Sequence, residues 1–447
     1  MTFAAAFEAT FEGHLPDMTD NQAQEPRLPR TVGFWGAALF PVNGMIGSGI
    51  FALPAIMVAA VGAFAPWMML VGALLILPVV LCFAILSTRF DSHGGPVLYA
   101  SAAFGKFFGF QAGWSRYASG VVAMAANTQV AIAYLAVLFP VLEDPVLKAS
   151  AVIAFIAFTT IVNLIGMRIS VGTLGALTFI KIAPLVVLVS VGLATRDPEV
   201  GFALPQFSAF ESVVLLTFYA YMSVENATLP AGEMRNPQRT VPLALITTLS
   251  AVALLYMLVI WSYLAISPQV IGDESALSAA AGAIMGQAGS LVISLAAAIS
   301  ICANTLSGGI VTPRMTYAMA EQGMLPRIFM RVSPRFQTPD ASILFYGAAA
   351  VLASLWAGFA ALAIASTLSR MVMYLLTALA LPVLEHRDEA KAPWWHMAIA
   401  GIAALSSLWV ASQASAEAFQ TLGFILAVGA VLYFIAARRD TSAPAQA

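Results

Sequence analysis

The chain has 447 residues, 60% of them hydrophobic and only 9% charged, with a formal net charge of −2 and a mean hydropathy of +0.88. Soluble globular chains carry about 25% charged residues, so a soluble multidomain protein is excluded. A nucleic-acid partner is excluded too, because there is no basic stripe to hold one. The composition is that of an all-α polytopic membrane protein, whose solvent is the lipid bilayer.

The first 30 residues stand apart. Glu8, Glu12, Asp17, Asp20 and Glu25 outnumber Arg27 and Arg30, and there is neither a basic start nor a long apolar run. That pattern fits a cytoplasmic tail and not a cleaved signal peptide. Phe3, Phe7 and Phe11 recur at helical spacing and would line one face of a short helix, although a plain solvated tail accounts for them equally well.

A spanning helix takes about 20 mostly apolar residues. Runs of that length predict twelve spans, over residues 32–61, 66–88, 109–139, 147–166, 171–194, 208–230, 241–266, 286–318, 341–358, 361–384, 395–414 and 418–437. The first contains Asn43-Gly-Met-Ile-Gly-Ser-Gly-Ile-Phe-Ala-Leu-Pro54. Gly47-Ser48-Gly49 is among the worst helix-forming triplets available, so this helix is expected to break at mid-membrane. Freed backbone groups are tolerated there only where they face protein or a polar cavity. Residues 97–108, after Gly94-Gly95-Pro96, are too short to span and predict an interfacial helix. The third span carries Arg116 and Asn127, too costly to face lipid, so it belongs inside the bundle.

With the N-terminus cytoplasmic, only Lys148 and Arg196 fall outside, and Arg116, Lys181 and Arg370 fall within spans. The rest of the 20 Lys and Arg are cytoplasmic. The positive-inside rule is thus met with both termini in the cytoplasm. Polar and aromatic residues interrupt the sixth span at 215–228, with Glu225 inside it. Breaks in spans one and six mark the first helix of two five-helix halves. Five is odd, so the second half enters from the opposite side, as in an inverted repeat with a midplane site between the discontinuous helices.

Four motifs in order now resemble one family. They are Gly47-Ser48-Gly49-Ile50-Phe51; Gly94-Gly95-Pro96 with Tyr99; Val224-Glu225-Asn226 through Glu233 to Pro242; and Arg314 with Tyr317 through Pro326 and Thr338-Pro339. Over about residues 30–390 the chain resembles the amino acid–polyamine–organocation (APC) transporters. The resemblance implies a LeuT-like five-plus-five inverted repeat with discontinuous helices one and six, plus two additional C-terminal helices. The expected division is a tail at 1–30, a first repeat at 31–194, a second repeat at 208–384, two helices at 395–437 and a tail at 438–447.

By that resemblance the amides of Gly47, Ser48 and Gly49 bind a substrate α-carboxylate, as helix N-termini suit an anion. Small-residue helix packing is the bland alternative. The carbonyls of Met45 and Ile46, and of Tyr219, Ala220 and Met222, are expected to accept from the α-ammonium, with Tyr219 as an aromatic gate. Met124, Asn127 and Gly308 are further lining candidates. Glu225 is the only acidic residue deep in a predicted span, and the matching family position serves packing or proton sensing. The favoured substrates are therefore neutral, smallish or apolar amino acids. Arg116 or Arg370 would admit an anionic one if they face the vestibule, but both could pair internally instead.

Lys181, amid Thr178-Phe-Ile-Lys-Ile-Ala-Pro184, must find partners or lose its proton. In several family branches a lysine at the matching position stands in for a sodium ion. This implies proton coupling or no coupling ion, no metal and no cofactor, with Glu225 as the other coupling candidate. Cys82 and Cys302 lie in apolar runs, as small core residues. His14, His93, His386 and His396 make no catalytic constellation, and no zinc, hydrolase or phosphate-loop motif occurs, so an enzyme is not expected. The expected protein is a secondary transporter of the cell membrane that moves amino acids by alternating access, as a proton symporter or, alternatively, an obligate exchanger. A channel would need a continuous polar stripe. Nothing in the sequence speaks to oligomeric state.

Overall fold

The computed structural model describes residues 33–90, 95–166, 171–195, 204–228, 234, 236–266, 274–387 and 392–440. The acidic tail with Phe3, Phe7 and Phe11 lies outside the described residues, as do Gly94, His93, residues 229–233 and Arg235. The helices are α1 (Phe34–Met45), α2 (Gly49–Val61), α3 (Ala65–Ser87), α4 (Pro96–Phe104), α5 (Lys106–Leu138), α6 (Pro145–Ile165) and α7 (Val171–Thr195). They continue as α8 (Phe207–Tyr221), α9 (Pro237–Ile266), α10 (Ala276–Glu321), α11 (Asp340–Trp356), α12 (Phe359–Arg387), α13 (Trp394–Ser412) and α14 (Ala416–Asp440).

Among the described residues, ten helical runs are long and apolar enough to cross a membrane. That count takes α2 and α3 as one run, since only a 3-10 turn at Gly62–Phe64 separates them. It leaves out α11, which is apolar but 17 residues long. The run expected at 286–318 starts where expected, because α10 is two helices joined across a kink at Gly286, whose φ of +67° only glycine adopts cheaply; the first begins at Ala276 and the second runs on to Glu321. One predicted boundary is corrected. The run expected to end at 384 continues to Arg387, which brings Glu385 into the helix. The short helix expected near 97–108 forms as α4.

Local chemistry sets the ends. Asp144 caps α6 by accepting from the amides of Val146 and Leu147, both at 3.0 Å, with Pro145 in the first helical position, where its missing N–H costs nothing. In lipid, apolar faces gain nothing by meeting each other, so close approach through small residues holds the bundle. Glycines accordingly mesh with polar side chains of neighbouring helices: Gly72 with Thr217, Gly120 with Thr312, Gly309 with Asn163 and Gly347 with Thr160. At each, an added Cβ would collide with the facing side chain.

The hub is α5, packed by α12, α10, α4, α11 and α14. Its buried residues include Arg116 and Asn127, which puts both inside the bundle as their cost in lipid requires. The outer helices are lipid-type surfaces. On α7, Phe179 is 73% exposed and Lys181 only 1%, so the lysine takes the inward face.

Candidate substrate site between two broken helices

The first break falls at residues 46–48. Ile46 leaves the helix with ψ at 83°, and Ser48 precedes the first turn of α2. Side chains from four other helices hold the broken backbone. Lys181 Nζ donates to the carbonyls of Ile46 at 3.2 Å and Asn43 at 3.4 Å. Tyr256 of α9 donates to Met45 O at 2.7 Å. Asn304 Nδ2 of α10 donates to Asn43 O at 2.6 Å and Gly44 O at 3.0 Å. The amide of Ser48 donates to Asn127 Oδ1 of α5 at 3.1 Å, and Asn127 Nδ2 donates to Asn304 Oδ1 at 3.0 Å. Asn127 and Asn304 thus form a relay that bridges the break, tying the end of α1 to the start of α2.

The second break faces the first. Tyr219 of α8 brings its hydroxyl within 3.0 Å of Ser48 Oγ and donates to Asn127 Oδ1 at 3.3 Å. Its ring packs edge-on against Phe359, with centroids 5.7 Å apart. Tyr219 and Ala220 are not unwound as expected, because α8 stays helical through Tyr221. The break lies at Met222 and Ser223, before a 3-10 helix at Val224–Thr228. Tyr219 O accepts the Met222 amide at 3.2 Å. The last helical carbonyls nevertheless lack helical partners, as at any helix end, so Ala220 keeps an acceptor at this point. Ser223 has a φ of +75°, a strained value for a side-chain-bearing residue.

Glu225 sits just past this break, 1% exposed. Its Oε1 accepts from Arg370 Nη1 at 2.8 Å and Arg116 Nε at 3.4 Å, and its Oε2 accepts from Tyr374 at 3.1 Å. Arg116 Nη2 also donates to Asn226 Oδ1 at 2.8 Å. Arg370 reaches Ser119 Oγ at 3.0 Å and Ser223 Oγ at 3.2 Å. Gly44 packs directly on this network: a Cβ there would stand 2.7 Å from Asn226 Nδ2 and from Ser223 Cβ.

Beside the breaks lies a cavity of about 820 Å³. It is lined by Phe40, Asn43 and Gly44 of α1; Arg116, Met124 and Asn127 of α5; Ser223 and Asn226; Asn304, Gly308 and Thr312 of α10; Arg370; and Phe336–Thr338 of the loop before α11. Of the expected residues, Met124, Asn127 and Gly308 line it. Met45, Ile46, Gly47, Ser48, Gly49, Tyr219, Ala220 and Met222 lie behind its wall at the junction of the two breaks. Lys181 reaches the same junction from α7. Asn304, Tyr256 and Glu385 were not expected. Asn304 is an amide in mid-span, in Ile301-Cys-Ala-Asn-Thr305, and its cost in lipid was the signal that could have found it. Away from the site, buried Glu385 bonds His396 Nδ1 and accepts from Arg89 Nη2 at 3.2 Å. Among the described residues no cluster could hold a metal ion.

Comparison with known proteins identifies a family. The family model described as "Amino acid permease" matches residues 32–442. The chain is 28% identical over 383 residues to the serine/threonine exchanger SteT of Bacillus subtilis (strain 168), covering 81% of this chain and 85% of that one. It is 32% identical over 222 residues to the cadaverine/lysine antiporter of Escherichia coli (strain K12), covering 48% of this chain and 49% of that one. With two broken helices facing each other beside a polar cavity, and a family match over most of its length, the chain belongs to the amino acid permease family of the APC superfamily.

Proposed function

We propose that the protein is a secondary transporter that carries amino acids across the cell membrane by alternating access around the two breaks. The observation that carries this reading is the meeting of Ser48 and Tyr219 at 3.0 Å, which joins two interrupted helices beside a cavity within the range of about 300–1,000 Å³ typical of ligand sites. On this reading the substrate carboxylate goes to the amides of Gly47, Ser48 and Gly49, and its ammonium to the carbonyls at Met45, Ile46, Ala220 and Met222. Tyr219 is the gate, and Met124 and Gly308 border the side chain. The helices then count as twelve spans: α1 and α2 form one broken span, α8 and the 3-10 helix another, and α11 is included. They divide into repeats at 31–194 and 208–384 and a final pair at 395–437. Both termini are cytoplasmic by the positive-inside rule, and the cavity reaches Phe336–Thr338 of the loop before α11.

Lys181, whose ammonium occupies the carbonyls of the break, supports proton coupling, or a fixed charge that makes sodium unnecessary. Glu225 is the second coupling candidate. The described cavity lining includes guanidinium groups and no carboxylate, which argues against cationic amino acids and polyamines. A second reading, obligate exchange, is favoured by the relatives, one named as an exchanger and one as an antiporter. The test is uptake of labelled amino acids into proteoliposomes. Uptake into empty vesicles driven by a proton gradient supports symport. Uptake only into vesicles loaded with amino acid supports exchange, and absence of uptake in both refutes transport.

A further inference from the structure

We propose that Arg116 and Arg370 form a carboxylate-binding station in the cavity wall that selects amino acids with an anionic side chain. This rests on the amino-acid transport reading above and names the substrate class within it.

The argument begins with charge. Around the breaks, Arg116 is 6% exposed, Arg370 4% and Lys181 1%, against a single carboxylate among the described residues, Glu225, at 1%. Leaving Lys181 aside, two guanidinium groups still share one carboxylate. Burying an excess charge is costly unless something pairs with it. Glu225 cannot supply more, because both its oxygens are taken by Arg370, Arg116 and Tyr374.

The shortfall falls on Arg116. It holds Glu225 only at 3.4 Å, gives Nη2 to the neutral amide oxygen of Asn226, and turns Nη1 toward the Met315 sulfur. A thioether is a weak acceptor, a poor match for a charged donor more than nine-tenths buried. Arg116 and Arg370 both line the cavity, Arg314 adds a third guanidinium there, and no Asp or Glu is among the described lining residues. The unmet charge therefore faces a space that a carboxylate can enter, and a guanidinium fork suits a carboxylate in two-pronged geometry.

Position separates this station from the α-carboxylate site. Arg116 precedes Asn127 on the same helix, and at about 1.5 Å per residue their Cα atoms lie about 16 Å apart along α5. The guanidinium groups stand beside the second break, where they reach Asn226 and Ser223 and line the cavity. A zwitterion has balanced charges and gains little from a net-positive wall. An amino acid with a second carboxylate gains in full, and a cationic one is repelled.

The experiment compares substrates of matched shape and different charge: glutamate against glutamine, and aspartate against asparagine, in proteoliposomes holding the full chain. The wild type is expected to take up the acidic member better. Arg116→Gln leaves Glu225 paired one-to-one with Arg370, and should cut glutamate uptake about tenfold more than glutamine uptake, the worth of one charged hydrogen bond. Arg116→Lys should recover part of that ratio. Equal or better uptake of the amides by the wild type overturns the inference, as does a parallel fall of both substrates in Arg116→Gln. If that variant does not fold, the wild-type ratio decides alone. Uptake of amides without acids refutes this inference and spares the transport reading, whereas uptake of no amino acid refutes both.

Discussion

Asn304→Ala is the sharpest test of how the first break is held. The substitution removes three hydrogen bonds at once: to Asn127 Nδ2 at 3.0 Å, to Asn43 O at 2.6 Å and to Gly44 O at 3.0 Å. Interhelical hydrogen bonds in membrane proteins are worth about 0.6 kcal/mol on average and about 1.7 at most. Three of them sum to about 2 kcal/mol, with a ceiling of about 5. Lys181 still serves Asn43 O, but Gly44 O and Asn127 Nδ2 lose the partners described here, which pushes the loss above the lower figure. Thermal unfolding in detergent should show a midpoint lowered by several degrees, and substrate uptake should fall with it. The relay is a unit, so Asn127→Ala and Asn304→Ala together should cost less than the sum of their separate effects. A single variant that melts and transports like the wild type, or strict additivity in the double variant, would refute the relay.

Two further substitutions probe the junction. Lys181→Met keeps an unbranched side chain one atom shorter and removes the donor to Ile46 O and Asn43 O; it should reach the membrane yet fail to accumulate substrate under a proton gradient. Wild-type accumulation that requires sodium and ignores that gradient would sink the coupling role. Gly44→Ala puts a Cβ 2.7 Å from Asn226 Nδ2 and Ser223 Cβ, an overpacking worth about 1–3 kcal/mol. Gly49→Ala meets nothing nearer than Ala220 Cα at 3.4 Å and should be tolerated, whereas Gly49→Leu should abolish uptake. Equal melting of the two alanine variants would show that Gly44 is not the tighter crossing.

Much of the fold was legible because the bilayer imposes strict rules. Apolar length set the spans, and Gly47-Ser48-Gly49 announced a break that the structure has at 46–48. The second break was displaced. Tyr219 and Ala220 looked unwound because polar and aromatic residues cluster there, but those side chains serve tertiary partners and leave the backbone helical. What parts the chain at Ser223 is a backbone angle that no composition encodes. Arg116 and Arg370 were recognised as buried cations, yet their common partner was not readable, since Glu225 meets both only through the fold. Glu385 escaped notice because an apolar window ended one residue short of it.

The break is not an open socket waiting for a ligand. Tyr256 and Lys181 already donate to Met45 O and Ile46 O; Met45 O also accepts the Gly47 amide at 2.9 Å, which uses both its lone pairs, whereas Ile46 O keeps one that can accept an ammonium. The amide of Ser48 has no such reserve, because its single hydrogen goes to Asn127 Oδ1. A carboxylate can meet Gly49 and Ile50, whose amides have no acceptor within the first turn of α2. To take Ser48 too, it must displace Asn127. That displacement pulls on the relay through Asn304, which holds the carbonyls of Asn43 and Gly44 on the other side of the break. Occupying the start of α2 therefore weakens the hold of α10 on the end of α1. Such a differential contact is what a ligand needs in order to shift a helix between two arrangements. The polar residues that stabilise the break are thus the ones through which a bound substrate would move α1.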